Sequence, residues 1–240
     1  MARDSGLMDR ARETGETVLT VYGWSRPTLS LGRNQTARGK YDHERLRDLG
    51  IDVVRRPTGG RALLHDREIT YSVAGVQRGN DSLDDRYHRI NSLLVAALAA
   101  VGVKASQAEG NGRAPRPDTL PCFATPTRGE LVVDGAKLAG SAQVSESGAW
   151  LQHGSMLIHD DQALIATLEI GSPSSRAAPA ATLSALLGPA ATPGVVFDAL
   201  ARAVATFSGI EPKNLDEEEL ALHTKRHLPR YESDDWTWRR

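Results

Sequence analysis

Arginine and glycine residues crowd one short segment, residues 55–66, which reads Arg-Arg-Pro-Thr-Gly-Gly-Arg-Ala-Leu-Leu-His-Asp. The adjacent Gly59 and Gly60 let the backbone approach a ligand closely and adopt conformations that other residues avoid. Successive N–H groups of such a turn can hold phosphate or carboxylate oxygens, and the guanidinium groups of Arg55, Arg56 and Arg61 can pair with them bidentately. The segment therefore indicates an anion-binding loop. On spacing alone, a tight hairpin turn with solvated arginines is the more common explanation.

The only cysteine, Cys122, precedes Lys137 by a short stretch of chain. A thiol is a nucleophile only as the thiolate, which a nearby ammonium or imidazolium group favours. Cys122 and Lys137 are therefore candidates for nucleophilic catalysis, with His65 and His153 as candidate bases. A buried, unreactive cysteine is the ordinary alternative. No spacing among the histidines and the cysteine is typical of zinc ligands, so no metal site is predicted.

A second glycine-rich stretch begins at Lys137 and runs through Gly140, Ser141 and Ala142. Glycine inside a strand often marks the close approach of a ligand or of another backbone. Alone this signal is weak, because a lysine that follows a hairpin is usually a solvated edge residue. The stretch gains weight only in combination with the other segments.

Changes in the apolar period predict the elements that would position these residues. Strands are predicted at residues 17–22, 28–31, 51–55, 62–64, 69–73, 130–133, 137–143 and 150–158. Helices are predicted at residues 42–49, 83–101, 193–207 and 215–227, the last one capped by Asn214. Two stretches rich in small residues and proline, residues 104–121 and 171–193, are predicted to be long loops. Strands and helices that mix without strict alternation are typical of an α/β or α+β fold with a mixed sheet.

Composition excludes several classes of function. The chain has 240 residues, with 29 Lys+Arg against 30 Asp+Glu and a formal net charge of −1. This balance gives no bulk attraction to nucleic acid or to anionic membranes. No apolar run approaches the roughly 20 residues that a membrane-spanning helix needs. The start of the chain has no apolar signal segment, so a cytoplasmic location is expected.

Taken together and in this order, the segments resemble the lipoate-protein ligase A family, within the wider biotin and lipoate protein ligase fold. Residues 55–66 are similar to the lipoyl-binding loop of the family. Residues 137–143 resemble its Gly-Lys-(x)-Ala-Gly-Ser-Ala-Gln strand, and residues 151–155 resemble its His-Gly-(Ser/Thr) strand. Residues 32–35 and 231–236 resemble two further family elements. The resemblance implies helices packed on a mixed β-sheet. It also implies one catalytic domain over residues 1–240, without the C-terminal accessory domain of many ligases.

Two chemistries occur among proteins of this kind. Ligases activate lipoate with ATP, whereas LipM-type octanoyltransferases move octanoate from acyl carrier protein onto a cysteine and then to a lysine of an acceptor. Pro121-Cys122-Phe123 is similar to the position of the transferase nucleophile, and Arg61 replaces the third glycine of the ligase loop. The resemblance therefore implies an octanoyltransferase of lipoate biosynthesis that needs no cofactor. The alternatives are an ATP-dependent lipoate ligase, which would use ATP and Mg²⁺, and a non-catalytic lipoyl-domain-binding subunit of a two-chain ligase.

The same resemblance implies a role for each site residue. Cys122 would be the nucleophile, and Lys137 would favour its thiolate and assist proton transfer at the incoming amine. The implied partners are octanoyl-acyl carrier protein and either a lipoyl domain or the glycine-cleavage H protein. The octanoyl chain would enter a tunnel lined by Leu63, Leu138 and Ala142. The residues expected to bind substrate are Arg55, Arg56, Gly59, Gly60, Arg61, His65, Gly140, Ser141, Ala142, His153 and Gly154.

Overall fold

The structure is a computed structural model that describes residues 1–79, 82–109, 123, 126–171 and 179–240. Its strands are β1 (Val18–Tyr22), β2 (Thr28–Leu31), β3 (Asp52–Arg55), β4 (Leu63–His65), β5 (Glu68–Val76), β6 (Ser106–Gln107), β7 (Leu131–Val133), β8 (Ala136–Glu146) and β9 (Ala149–Leu157). Its α-helices are α1 (Ala2–Thr14), α2 (His43–Asp48), α3 (Leu83–Ala100), α4 (Leu164–Leu168), α5 (Leu183–Leu187), α6 (Pro193–Ser208), α7 (Glu217–Tyr231) and α8 (Asp234–Thr237). The α/β class with a mixed sheet is confirmed.

The strands form a large and a small sheet. The large sheet has the order β1-β5-β9-β8-β7-β6 and is antiparallel at each pairing. The small sheet has the order β3-β2-β4, with β2 parallel to β3 and antiparallel to β4. Two tight turns fix the register of β7, β8 and β9. Asp134 (49°) and Gly135 (80°), and likewise Ser147 (51°) and Gly148 (79°), have the positive φ angles that such two-residue hairpin turns require.

The two faces of the large sheet are covered differently. Helices α3 and α6 pack on one face, which we call the helix face, where Leu94 and Leu200 meet Met156 of β9. Helix α1 covers part of the other face, the α1 face, where Leu7 packs with Leu151 and with residues of β1, β5 and α7. Burial of these apolar side chains is the main favourable term holding the layers together.

Three local predictions were wrong. The segment expected to be a loop at residues 171–193 contains α5, because Leu183 is fully buried and the hydroxyl of Thr182 caps the helix by accepting from the Ala185 N–H. The loop expected at residues 104–121 contains β6, which pairs with β7. Helix α7 is capped by Asp216 rather than by Asn214, since the Asp216 carboxylate accepts from two N–H groups of the first turn.

Helix α6 is the most apolar of the long helices. It begins at Pro193 behind the capping hydroxyl of Thr192, which accepts from the Val195 N–H. Among the described residues, no single helix is both long and apolar enough to cross a membrane. One bent pair, residues 183–190 with α6, passes the same test of length and composition when its two parts are taken together.

Candidate active site

A β-bulge in β8 decides where Lys137 points. In the pairing with β7, Val132 lies opposite Lys137, whereas Leu131 lies opposite Ala139, so that Leu138 is an extra residue. Such a bulge interrupts the alternation of side chains along a strand. Leu138 and Ala139 consequently both pack in the core on the helix face. Lys137 turns to the α1 face instead.

The side chain of Lys137 is fully buried on that face between an acid and an aromatic ring. Its Nζ lies 2.7 Å from Glu130 Oε1 and 4.7 Å from the ring centroid of Phe123. A carboxylate and a π face both attract a cation, so these contacts hold the Lys137 ammonium in one place. Phe123 follows Cys122 directly in the sequence. Cys122 itself, the predicted nucleophile, lies outside the described residues.

Arg56 shapes the glycine loop after β3 from the inside. Its guanidinium donates to the carbonyl oxygens of Ser30, Gly59 and Arg61. Gly60 has a φ of +99°, and a Cβ atom there would lie 2.7 Å from Arg56 Nη2. The loop also packs against Gly32, the residue that follows β2, since a Cβ there would lie only 2.0 Å from the Gly60 carbonyl oxygen. Arg56 and these glycines therefore fix the path of the loop.

Gly59 differs from the other glycines of this region. A Cβ atom on Gly59 would meet nothing within 4 Å among the described residues. The backbone of the loop is thus approachable on this side, as a ligand-binding loop requires. Arg61, the next residue but one, is buried and forms part of the loop wall.

His153 ties the glycine loop to α1. Its Nε2 lies 2.6 Å from Thr58 Oγ1, and its Nδ1 lies 3.1 Å from Asp4 Oδ2. Asp4 also accepts from the hydroxyl of Ser72, at 2.7 Å. Because a carboxylate only accepts hydrogen bonds, Nδ1 carries the proton and Nε2 accepts from Thr58. Burial lowers the pKa of His153, against the opposing pull of Asp4.

This lowered pKa makes stability depend on pH. In the unfolded chain His153 has a pKa of about 6.5, whereas in the native protein its pKa is lower. Stability is therefore expected to fall as the pH drops from about 7 to about 5.5, with His153 contributing a slope of up to about 1.4 kcal/mol per pH unit. The unfolding free energy, measured with urea at several pH values, should depend less steeply on pH for His153→Gln than for the wild type. An unchanged slope in His153→Gln would contradict this prediction.

His65, at the end of β4, forms a second buried polar cluster. Its Nδ1 lies 3.1 Å from Glu68 Oε1, and its ring stacks on Trp24 with centroids 4.1 Å apart. Glu68 also accepts hydrogen bonds from the hydroxyls of Thr70 and Ser155. Within the described part of the chain, His65 Nε2 is buried without a hydrogen-bond partner.

The glycine-rich strand β8 divides its predicted site residues between the two faces. Gly140 and Ala142 pair with Ser155 and His153 of β9 and share the α1 face with them. Ser141 lies on the helix face, where its Oγ is 2.6 Å from Tyr71 Oη. The structure therefore does not bring Ser141 to the side of Lys137.

Gly154 pairs with Ser141 across the same sheet and also lies on the helix face. A Cβ atom there would lie 2.6 Å from both Tyr71 Cε1 and the Gly140 carbonyl oxygen. Close packing under Tyr71 accounts for this glycine. Contact with substrate remains a prediction for Gly154, as it does for Ser141.

Arg55 points away from the glycine loop. Its buried guanidinium donates to the carbonyl oxygens of Gly32, Gln35 and Thr237. Burial, together with the nearby charge of Arg239, lowers the pKa of Arg55 to about 10. These contacts tie α8 to the segment that follows β2, so Arg55 organises the scaffold of the site in this structure.

The structure thus gathers most of the predicted residues on one side of the large sheet. Lys137, His65 and His153 lie there with Gly140 and Ala142, next to the loop of Arg56, Gly59, Gly60 and Arg61. Sequence reasoning missed four polar partners, namely Asp4, Thr58, Glu68 and Glu130. Thr58 and Glu68 stand in or beside the glycine-rich motif and could have been noticed there. Nothing in the local sequence singles out Asp4 or Glu130.

Comparison with known proteins places this geometry in a family. The model of the lipoyl protein ligase A/B catalytic domain matches residues 1–205. The chain belongs to this family. Among curated lipoyl protein ligase A/B relatives, the octanoyltransferase LipM of Kyrpidia tusciae is 38% identical, covering 100% of this chain and 94% of the relative. The octanoyltransferase LipM of Moorella thermoacetica is 35% identical, covering 100% and 93%. The resemblance seen in the sequence motifs is confirmed.

Solved structures of lipoate ligases share the fold. A lipoate-protein ligase A bound with ATP superposes with a TM-score of 0.80 at 21% identity, covering 99% of this chain and 92% of that one. The bipartite lipoate protein ligase of Thermoplasma acidophilum superposes with a TM-score of 0.75 at 21% identity, covering 98% and 91%. The expected lipoate protein ligase fold is confirmed by these neighbours.

Proposed function

We propose that this member of the lipoyl protein ligase A/B family is an octanoyltransferase that works through a thioester on Cys122. The observation that carries the proposal is the buried ammonium of Lys137 over the ring of Phe123, the residue that follows Cys122. A fixed positive charge near a cysteine favours the thiolate, which is the nucleophilic form. The full-length similarity to relatives named octanoyltransferase LipM supports the same activity.

The proposed reaction has two acyl-transfer steps. First the Cys122 thiolate forms a bond to the carbonyl carbon of octanoyl-acyl carrier protein, and the C–S bond to the carrier breaks. The carrier leaves as a thiolate and takes up a proton. Then a lysine amine of a lipoyl domain or of the glycine-cleavage H protein attacks the enzyme thioester. The C–N bond forms, the nitrogen loses its proton and Cys122 leaves as thiolate. Both steps start from a thioester, so neither needs ATP.

The glycine loop is proposed to face the reacting carbonyl. Gly59 is open to a ligand on one side, and the path of the loop is fixed by Arg56. Backbone N–H groups of this loop are suited to bind the developing oxyanion, an effect of about 3 kcal/mol per donor. In this arrangement Arg56 shapes the loop and does not itself reach a carrier protein, because its N–H groups already donate to loop and strand carbonyls.

The test is the mass of the intact protein after mixing with octanoyl-acyl carrier protein, without ATP. The proposal expects an octanoyl adduct on the wild type that hydroxylamine removes, and no adduct on Cys122→Ala. Addition of a lipoyl domain should then move the octanoyl group to the domain. Absence of the adduct on the wild type would overturn the proposal.

An ATP-dependent lipoate ligase is the second candidate, because the fold matches that of a ligase bound with ATP. A ligase would modify the lipoyl domain only when lipoate and ATP are both supplied. It would also exchange pyrophosphate into ATP in a lipoate-dependent manner. Running these reactions beside the mass measurement separates the two activities.

A further inference from the structure

The imidazole of His65 lies beside the site, and among the described residues only one of its two nitrogens has a hydrogen-bond partner. Glu68 Oε1 lies 3.1 Å from His65 Nδ1, and the same carboxylate accepts from the hydroxyls of Thr70, at 2.6 Å, and of Ser155. Because the carboxylate can only accept, Nδ1 carries the proton. In the neutral imidazole Nε2 then holds a lone pair. Nε2 has no hydrogen-bond partner among the described residues, although it is buried.

His65 and Leu63 lie on the same side of β4, and Leu63 packs close to the Lys137 ammonium. Leu63 forms a cluster with Phe123 and Leu157, and the Phe123 ring carries the Lys137 ammonium. Leu63 and His65 are two residues apart on β4, so their side chains share a face and stand about 6.6 Å apart along the strand. Stacking on Trp24 fixes the plane of the ring. His65 is therefore one strand pleat away from Leu63, which packs with the Phe123 ring under the Lys137 ammonium.

The second step of the proposed reaction needs a proton acceptor. An acceptor lysine arrives as an ammonium ion at neutral pH and must lose protons to attack and to form an amide. Lys137 is poorly placed to take that proton, because its Nζ already donates to Glu130. A neutral imidazole with a carboxylate behind Nδ1 is the usual arrangement of a general base.

We infer that His65 is the general base of the amine-transfer step and that Glu68 is its positioning residue. The inference rests on the proposed function. The proton moves from the amine nitrogen to His65 Nε2 as the C–N bond forms and the bond from the carbonyl carbon to Cys122 breaks. The imidazolium that results faces the Glu68 carboxylate, which stabilises its charge. Ser155 and Thr70 keep that carboxylate in place.

A two-stage experiment tests the assignment. Wild type, His65→Gln, Glu68→Gln and His223→Gln are first loaded with octanoyl-acyl carrier protein and freed of excess donor. A lipoyl domain is then added, and single-turnover transfer is followed by mass. His65→Gln should load normally and transfer about 100-fold more slowly or worse, since general base catalysis contributes at least that much. Glu68→Gln should show a smaller loss. His223→Gln, at a buried histidine of α7 whose Nε2 lies 3.7 Å from Glu13, should behave as wild type.

A second nucleophile, hydroxylamine, shows whether His65 acts as a general base or only supports the structure. Hydroxylamine has an unprotonated nitrogen at neutral pH, so it should deacylate loaded His65→Gln as fast as loaded wild type. Imidazole should restore transfer in His65→Gly. Octanoyl transfer by His65→Gln at the wild-type rate would overturn the assignment of the base alone. So would a variant that reacts as slowly with hydroxylamine as with the lipoyl domain and that imidazole does not rescue. A wild type that is never loaded would overturn the proposed function and, with it, the base.

Discussion

Lys137→Met is expected to cost about 3–5 kcal/mol of unfolding free energy, because it leaves the Glu130 carboxylate buried without its partner. The double variant Lys137→Met/Glu130→Gln should recover most of this loss. Its neutral amide can still accept from the Thr127 N–H, which the Glu130 carboxylate binds at 2.7 Å. Urea unfolding of the two variants and of the wild type measures both changes.

Activity should not return with stability in the double variant. An ammonium group near a thiol lowers the thiol pKa by about one to three units. Because a free thiol with a pKa of about 8.5 is only about 3% ionised at pH 7, the loss of Lys137 should slow enzyme octanoylation by about 10- to 30-fold at neutral pH. Raising the pH should recover part of the rate, since the free thiol then ionises without help. A double variant as active as the wild type would show that Lys137 serves the fold and not the thiolate.

Cys122→Ser is expected to lower the rate of octanoyl transfer by a factor of about 10³ or more, because a hydroxyl is hardly ionised at neutral pH and is a far weaker nucleophile than a thiolate. Steady-state transfer from octanoyl-acyl carrier protein to a lipoyl domain measures the change. Ligation of free lipoate with ATP, run on the same variant, is the control. Normal turnover of the carrier thioester by Cys122→Ser would contradict the thioester mechanism.

The sequence predicted those parts of the fold that depend on neighbouring residues. Helix α3 and the turn at Asp134-Gly135 are set by a local apolar period and by residues that tolerate positive φ. The glycine loop of residues 57–61 was found for the same reason, because its unusual composition is continuous in the chain. The cap of α7 was misjudged because Asn214 and Asp216 are both good capping residues, and only the folded geometry chooses between them.

The polar partners of the site could not be predicted, because they come from distant parts of the chain. Asp4 and His153 are 149 residues apart in sequence and meet only when α1 packs on the large sheet. Ser155 and Glu68 are 87 residues apart and meet through the pairing of β5 with β9. Nothing in the residues around Asp4 distinguishes this acid from a solvated one. Tertiary packing supplies that information.

Leu138, the extra residue in β8, shifts the alternation of side chains along this strand by one position. On either side of Leu138 the strand keeps its ordinary alternation, but the two stretches are out of step by one residue. If β8 alternated regularly with Leu138 in place, Lys137 would lie on the same face as Ala139, and its ammonium would enter the apolar layer under α3. The one-residue offset therefore lets one strand place Leu138 and Ala139 in the core on one face of the sheet and the charge of Lys137 on the other.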